Sequence, residues 1–469
     1  MSDASSQGKS FAIELRGLEH IPENERHGNP RELFGMWMGG QFTYISLVIG
    51  SIPVLLGLSW WQSFSAIIVG GLLGSIMVGL CGIHGPKTGT ATIVNTRAVF
   101  GIKGNLLPEA LNWITVVGWA ACNSVLGAMA LTQLARMAGL QGTWVQAGSV
   151  LIVLGIQVLI AVFGYEAVLK SEKIFAIVSA ALMLGLLFFV GPKIDLGFVG
   201  AGLKGKAAVG TWLLAVAIIF TGPLSWVNYA SDYTRYYPKS TPIKGIILSA
   251  GAGMFIATLL SYPLGAALAT VVDMGDPVAN LPQVLPAWYL APFLFVVLWS
   301  CIANNVLNVY TAGLALLALH VKVKRWVSVT IIGVVAAIAC YYAIFVYNFV
   351  PMFQNFLLLQ MEWLAPWSVL MLVDYALRRG EYDAEALHDW GKGSYWYSNG
   401  INWRGMFVLL ASVAVALPFA NSALLATKLA TETLGGADIS FFVGMAAAAL
   451  LYVTFGRPAT GRTRRALAR

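Results

Sequence analysis

Residues 208–231 read AVGTWLLAVAIIFTGPLSWVNYAS, an apolar run that is broken in its second half by Gly222 and Pro223. The hydrocarbon core of a bilayer is about 30 Å thick, and about 20 apolar residues cross it as an α-helix. Because proline removes an amide donor and glycine loosens a helix, the carbonyls before Pro223 lose their partners. The run predicts a membrane-spanning helix that is interrupted inside the bilayer.

Eleven further apolar runs of similar length lie along the chain. Hydrophobic residues make up 58% of the chain and charged residues 11%, whereas about 25% of a typical soluble domain is charged. The runs also lack the polar face of helices in soluble proteins, which excludes a soluble bundle. We predict one membrane domain (34–455) between polar tails (1–33 and 456–469), without a cleavable signal peptide. The predicted spans are 34–57, 62–82, 107–135, 144–165, 172–192, 208–231, 243–271, 288–319, 326–349, 353–377, 403–421 and 437–455.

The basic residues indicate how the chain is oriented. With the N-terminus inside, 24 of the 29 Lys and Arg residues fall in cytoplasmic loops and tails. This strong asymmetry follows the positive-inside rule, so we predict a cell-membrane protein with both termini in the cytoplasm. The charges are spread over many loops instead of forming one basic surface, which disfavours nucleic-acid binding.

A second interruption lies in span 1, where Gly39-Gly40-Gln41 and later Pro53 disturb the helix. A simple kink is the alternative, but spans 1 and 6 are five positions apart in the series. That spacing is typical of the LeuT-like inverted-repeat fold, whose binding sites lie at two discontinuous helices. We therefore predict an all-α integral membrane protein with repeats at about 34–192 and 208–377, and with spans 11 and 12 (about 403–455) at the periphery.

Ionisable residues inside membrane spans are rare and are usually functional. Glu362 lies within span 10, and it either carries a proton or reaches the outer mouth of the bundle. For Asp232 we predict a local ion pair with Arg235, three residues later. The four Cys residues are too far apart in sequence for a metal or redox motif, so we predict no metal site and no cofactor.

Neutral polar side chains are more frequent in the spans. Trp119 and Asn123 are four residues apart and share one helix face, while Asn304, Asn305 and Asn308 cluster in span 8. Amides that join helices are the alternative, at about 0.6–2 kcal/mol each. Indole rings offer stacking faces, and carboxamides present a donor beside an acceptor. The set favours a flat, neutral, heteroaromatic ligand, because an ionic one needs a fixed counter-charge.

The chain resembles the nucleobase–cation symporter-1 family, and within it the purine–cytosine permease branch. The resemblance covers nearly the whole chain. It is carried by these residues: Ile13–Glu19, Gly82–Phe100, Gly118-Trp119, Ser225-Trp226, Ser231–Tyr236, Ala303-Asn304-Asn305, Asn308, Tyr310 and Asp374-Tyr375.

The resemblance implies a proton- or sodium-coupled importer that works by alternating access. It implies that Trp119 and Trp226 sandwich a base and that Asn305 is its main partner on span 8. The full set of implied substrate-binding residues is Gln41, Trp119, Asn123, Ser225, Trp226, Asn304, Asn305 and Asn308.

Two coupling ions, the proton and sodium, fit the sequence. Sodium-coupled relatives carry two adjacent hydroxyl residues before the span 8 asparagine, where this chain has Ala303 and Asn304 or, in another alignment, Ser300 and Cys301. Hard cations prefer oxygen ligands, so the loss of a hydroxyl favours the proton, although the Asn304 carbonyl could still bind sodium. The candidates for coupling are Glu362, Asn304 and Ser300. Leu307, where fungal relatives usually have Pro, affects local span 8 geometry.

Two cargo classes fit this sequence. The first is a nucleobase such as cytosine, adenine, guanine or hypoxanthine; the second is a related heterocycle such as allantoin, a hydantoin or vitamin B6. An enzyme would need clustered acids or histidines in the spans, and a channel would need rings of charges or carbonyls. We expect neither, and we expect a small-molecule substrate and the lipid bilayer as partners, with no obligatory protein partner.

Overall fold

The computed structural model describes residues 19–163, 166–319, 325–391 and 393–456, and these residues form helices joined by short links. The motif at 13–18, most of the C-terminal tail, and the side chains of Leu307 and Tyr310 lie outside the described residues. The helices are α1a (Pro30–Gln41), α1b (Tyr44–Leu55), α2 (Trp60–Cys81), α3 (Leu106–Met137), α4 (Thr143–Phe163), α5 (Glu166–Val190), α6a (Gly205–Leu224), α6b (Ala230–Thr234), α7 (Ile243–Ala269), α8 (Ala287–Ala318), α9 (Arg325–Tyr341), α10 (Phe349–Arg378), α11 (Trp403–Ala416) and α12 (Ser440–Phe455).

Within the described residues, seven helices are long and apolar enough to cross a membrane, and the bent pair α1a–α1b makes an eighth span. Four shorter apolar helices occupy the places of predicted spans 5, 9, 11 and 12. The protein is therefore a multi-pass membrane protein of the predicted class. After twelve crossings the chain is back on the side of the membrane where it started. Helix α1 therefore begins, and α12 ends, at the same face of the bundle, which we call the terminal face.

The first span is broken where the glycines predict it. Asn29 caps α1a through a capping box with Glu32, and Pro30 occupies the first turn, where no amide donor is needed. The helix stops at Gln41, and α1b continues at an angle of 65°. The hydroxyl of Ser46 donates to the Gln41 carbonyl at 2.6 Å, so a side chain satisfies backbone that the break exposes.

The sixth span is interrupted two residues after Pro223. A turn at Ser225 and a 3-10 helix, Val227–Tyr229, separate α6a from α6b. The Ser225 hydroxyl donates to the Gly222 carbonyl at 2.6 Å. In a continuing helix the Trp226 N–H would serve this carbonyl, but it bonds the Pro223 carbonyl at 3.1 Å instead, so the serine satisfies a carbonyl that the end of α6a leaves free.

Asp232, for which the sequence predicts a local ion pair with Arg235, is held by a distant segment. The Asp232 carboxylate accepts hydrogen bonds from the backbone N–H of Thr92 at 2.7 Å and from its hydroxyl at 2.9 Å. Thr92 begins a short helix, Thr92–Asn95, in the link between α2 and α3. Asp232 therefore fixes α6b to that link, because a carboxylate near a helix N-terminus finds free amide donors there.

Two pairs of helices, each joining one half of the bundle to the other, are packed closely enough for their backbones to touch. A Cβ on Gly74 of α2 would lie 2.5 Å from the Phe220 carbonyl of α6a. A Cβ on Gly265 of α7 would lie 1.8 Å from the Leu47 carbonyl of α1b. Glycine therefore permits backbone contact in both pairs, as small residues do in membrane bundles. The pairs α2–α6 and α7–α1 are equivalent under a five-plus-five repeat.

Candidate substrate site

Trp226 lies at the interruption of α6 and is held by the interruption of α1. Its indole N–H donates to Gln41 Oε1 at 3.0 Å. The edge of the ring meets Trp37 at a centroid distance of 5.8 Å, and the ring covers Gly40, where a Cβ would still make ordinary contact. Trp226 is only half-buried, so part of its ring surface stays accessible.

Gln41 is fully engaged in the structure. Its side-chain nitrogen donates to the Tyr262 hydroxyl at 3.0 Å and contacts the Thr258 hydroxyl at 3.4 Å, while its oxygen accepts from Trp226. The residue is 2% exposed. Three bonds from two other helices fix the amide, so in this arrangement Gln41 positions the indole of Trp226.

Trp119 on α3 is held in the same manner by α10. Its indole N–H donates to Gln360 Oε1 at 3.1 Å. Phe353 and Phe356 meet the ring edge-on, at centroid distances of 5.6 and 5.5 Å. A Cβ on Gly118 would lie 2.2 Å from the Phe356 ring, which explains why a glycine precedes this tryptophan.

The two predicted stacking residues thus share one design. Each indole is half-buried, and each gives its N–H to a buried glutamine of another helix. Because an indole has a single donor, a flat ligand can approach its π face without competing for the N–H group. Helix α10 packs against both α3 and α6a, so it links the helices that carry the two rings.

The asparagines of α8 divide into two groups. Asn305 is 1% exposed and donates to the Ala120 carbonyl and the Ser124 hydroxyl, each at 2.8 Å, while its oxygen accepts from Asn308 at 3.3 Å. It therefore joins α8 to α3, and a very small cavity of about 10 Å³ lies beside this network. Asn304, by contrast, is half-buried.

The remaining predicted residues lie on the same helices. Asn123 donates to the Trp119 carbonyl at 3.0 Å, which leaves its oxygen as the polar atom without a recorded bond among the described residues. The Ser225 hydroxyl is used by the Gly222 carbonyl. Ser300 is half-buried on α8, one turn before Asn304.

Glu362 is buried at the opposite side of α10 from Gln360. It is 7% exposed, and its neighbours are Asp438 and Ser440 at the start of α12. Among the described residues, no group of three or more His, Cys, Asp or Glu side chains could hold a metal ion.

A small cavity of about 80 Å³ opens at the face opposite the termini. It lies where α3 ends and α10 begins, and its polar lining includes Gln133, Arg136, Asp276 and Asn348. The cavity forms a vestibule on that face, and it does not include either of the two tryptophans.

A family model described as a permease for cytosine and purines, uracil, thiamine and allantoin matches residues 20–444. A putative purine–cytosine permease of Bacillus subtilis is 30% identical over 464 residues, which are 95% of this chain and 96% of that protein. The chain belongs to the cytosine/purine permease family. A vitamin B6 transporter of Saccharomyces cerevisiae, 26% identical over 74% of this chain, shows the breadth of this permease family; the match spans 64% of its length.

The fold of this permease is that of a solved transporter, Mhp1. Its inward-facing structure superposes with a TM-score of 0.78 and 21% identity, covering 96% of this chain and 94% of that one. The closed structure, described as a nucleobase-cation-symport-1 family transporter with bromovinylhydantoin bound, gives 0.73 and 20%, covering 94% and 96%. This likeness confirms the predicted inverted-repeat fold.

Two residues at these sites were missed by the sequence analysis. Gln360 interrupts the apolar run of span 10, and that polarity was the available signal. Asp438 fell inside the predicted start of span 12, although α12 begins only at Ser440. The available signal for Asp438 was an acidic residue inside a predicted span.

Proposed function

We propose that this permease imports a purine or pyrimidine nucleobase, of the cytosine, adenine, guanine or hypoxanthine class, by cation symport and alternating access. The proposal includes a cell-membrane location with both termini in the cytoplasm. One observation carries it: two half-buried indoles, at α3 and at the α6 interruption, are each fixed by a glutamine. Family membership and the purine–cytosine permease from Bacillus support the same cargo.

The chemistry of binding follows from the side chains. Stacking on an aromatic ring stabilises a bound base by about 1–3 kcal/mol, whichever base it is. The oxygen of Asn123 and the half-buried amides of Asn304 and Asn308 supply groups that can pair with the edge of a base. Asn305 acts first as a link between helices, because its amide is already engaged with α3.

Uptake of radiolabelled cytosine and adenine into membrane vesicles tests the proposal. We expect accumulation of at least one base, and a large loss of uptake in Trp119→Ala. Trp61→Ala is a matched control, because Trp61 is 63% exposed on α2. Failure to accumulate either base, with Trp119→Ala indistinguishable from wild type, would contradict the proposal.

The proposed coupling ion is the proton. The six residues directly before Asn305 contain no pair of adjacent hydroxyl residues, and Glu362 offers a buried carboxyl group. We expect uptake to collapse with a protonophore and to persist in sodium-free buffer. Uptake that requires sodium and resists the protonophore would assign the role to sodium, with Ser300 and Asn304 as the residues to test.

A related heterocycle is the second candidate cargo. The yeast relative is a vitamin B6 transporter, and a solved neighbour was determined with a hydantoin derivative bound. A competition panel of nucleobases, allantoin, hydantoins and vitamin B6 forms separates the candidates. If a non-nucleobase heterocycle competes at concentrations at which cytosine and adenine do not compete, the second cargo class is favoured.

A further inference from the structure

Glu362 and Asp438 are two buried carboxyl groups outside the tryptophan site, and both have Ser440 as a neighbour. Glu362 is 7% exposed and Asp438 is 0% exposed. The segment before α12 lies along α6a, since a Cβ on Gly210 would meet the Gly435 carbonyl at 2.0 Å and Phe441 stacks on Phe220 at 4.8 Å. Helix α10, which carries Glu362, packs along α12, so both carboxyl groups lie inside the bundle where these helices meet.

The surroundings of Asp438 suit a carboxylate. Its Oδ2 accepts from the backbone N–H of Asn421 at 2.8 Å, and its Oδ1 accepts from the Ser440 backbone N–H at 3.0 Å and the Ser440 hydroxyl at 2.5 Å. Three donors aimed at one carboxyl group favour its ionised form. Asp438 therefore holds the negative charge of the pair.

The surroundings of Glu362 suit a carboxylic acid. Its Oε2 is buried and makes no hydrogen bond, and the negative charge of Asp438 acts on it. A buried carboxylate without a cation is costly, and two neighbouring carboxylates cannot both ionise easily. The proton of the pair therefore resides on Glu362, and the nearby Ser440 oxygen can accept it in a hydrogen bond.

We propose that Glu362, Asp438 and Ser440 form a one-proton binding site that couples proton entry to transport, a proposal that rests on the proposed symport. Helix α10 connects the two sites, because Gln360 binds Trp119 and Glu362, two residues later, faces α12. Loss of the proton leaves two negative charges in the pair, and their repulsion drives α10 and the start of α12 apart. The same movement displaces Gln360 and with it the indole of Trp119.

Reconstituted protein in liposomes tests the site with two readouts. Glu362→Gln mimics the protonated acid, so we expect accumulation driven by a pH gradient to fall at least tenfold. Counterflow exchange of labelled base needs no net proton movement and should stay within about twofold of wild type. Glu432→Gln is a matched control, since Glu432 is exposed in the segment before α12 and should retain both activities.

Infrared titration supplies a readout that does not depend on transport. The carbonyl band of a buried protonated carboxyl group should be present in wild type, absent in Glu362→Gln and retained in Glu432→Gln. An unchanged band, or gradient-driven accumulation that survives in Glu362→Gln, would overturn the proton site. Failure of the wild type in counterflow with every base would instead contradict the proposed function.

Discussion

The indole N–H of Trp226 donates to Gln41 Oε1 at 3.0 Å, across 185 residues of sequence. Gln41 is the last residue of α1a, and Trp226 lies within the interruption of α6. The break in one span thus supplies the group that orients the aromatic ring at the break in the other. Movement of either break must displace the ring, so in the proposed mechanism alternating access acts directly on the proposed substrate site.

Removal of the Gln41 carboxamide should weaken substrate binding. Gln41→Ala releases the indole N–H and breaks three hydrogen bonds that are worth about 1 kcal/mol each in typical proteins. We expect the Kd for substrate to rise roughly tenfold, which corresponds to about 1.4 kcal/mol. Binding to purified protein is the measurement, and Gln283→Ala, at an exposed position, is the control. A Kd within twofold of wild type would show that the Trp226 ring needs no support.

Gln360 and Trp119 should behave as one unit. Because the indole donates to Gln360, Gln360→Leu and Trp119→Phe each break the same hydrogen bond. A double-mutant cycle on substrate affinity should give a coupling energy of about 0.5–3 kcal/mol, with the double variant little worse than Trp119→Phe alone. Additive losses would mean that the two residues act independently.

Asn305→Ala should lower the stability of the protein as well as its activity. The substitution leaves the Ala120 carbonyl and the Ser124 hydroxyl without their α8 donor. Hydrogen bonds between membrane helices contribute about 0.6 kcal/mol on average and up to about 1.7, so we expect a loss of roughly 1–2 kcal/mol. Thermal unfolding in detergent measures it, and Asn304→Ala is the comparison. A fully stable Asn305→Ala that fails to bind would assign Asn305 directly to the substrate.

Acid should destabilise the link that follows α10. Burial, and then the positive charge of Arg97, lowers the pKa of His388 to about 4, whereas an unfolded histidine titrates near 6.5. The folded state prefers the neutral ring, so this contribution is complete above about pH 6.5 and is lost as the pH falls towards 4. Thermal unfolding between pH 4 and 8 should show a weaker dependence on pH in His388→Gln. The exposed His27→Gln should behave as wild type, and an identical dependence in all three proteins would contradict the assignment.

The fold was readable from the sequence because each of its signals is local. Apolar runs of membrane length, glycines at 39 and 40, and Pro223 each act on the backbone around them. The family motifs, such as Gly118-Trp119, pointed to the same inverted-repeat transporter. These signals need no knowledge of which helices touch.

The partners of the site residues were not readable, because they are distant in sequence. Gln360 lies 241 residues from Trp119, and Thr92 lies 140 residues from Asp232. The spacing of Asp232 and Arg235 favoured a local ion pair, but it did not indicate the donors that the packed link between α2 and α3 offers the carboxylate. A single sequence contains propensities and spacings, whereas tertiary contacts decide which of several possible partners is used.

Equilibrium binding of cytosine and adenine to purified protein tests the central claim most directly. The claim predicts that Trp119→Ala and Trp226→Ala each lose about 1–3 kcal/mol of stacking, a loss of affinity of about fivefold to 150-fold for the base that binds wild type. Trp61→Ala should bind as wild type does. Wild-type affinity in either Trp119→Ala or Trp226→Ala would contradict a base held between these two indoles.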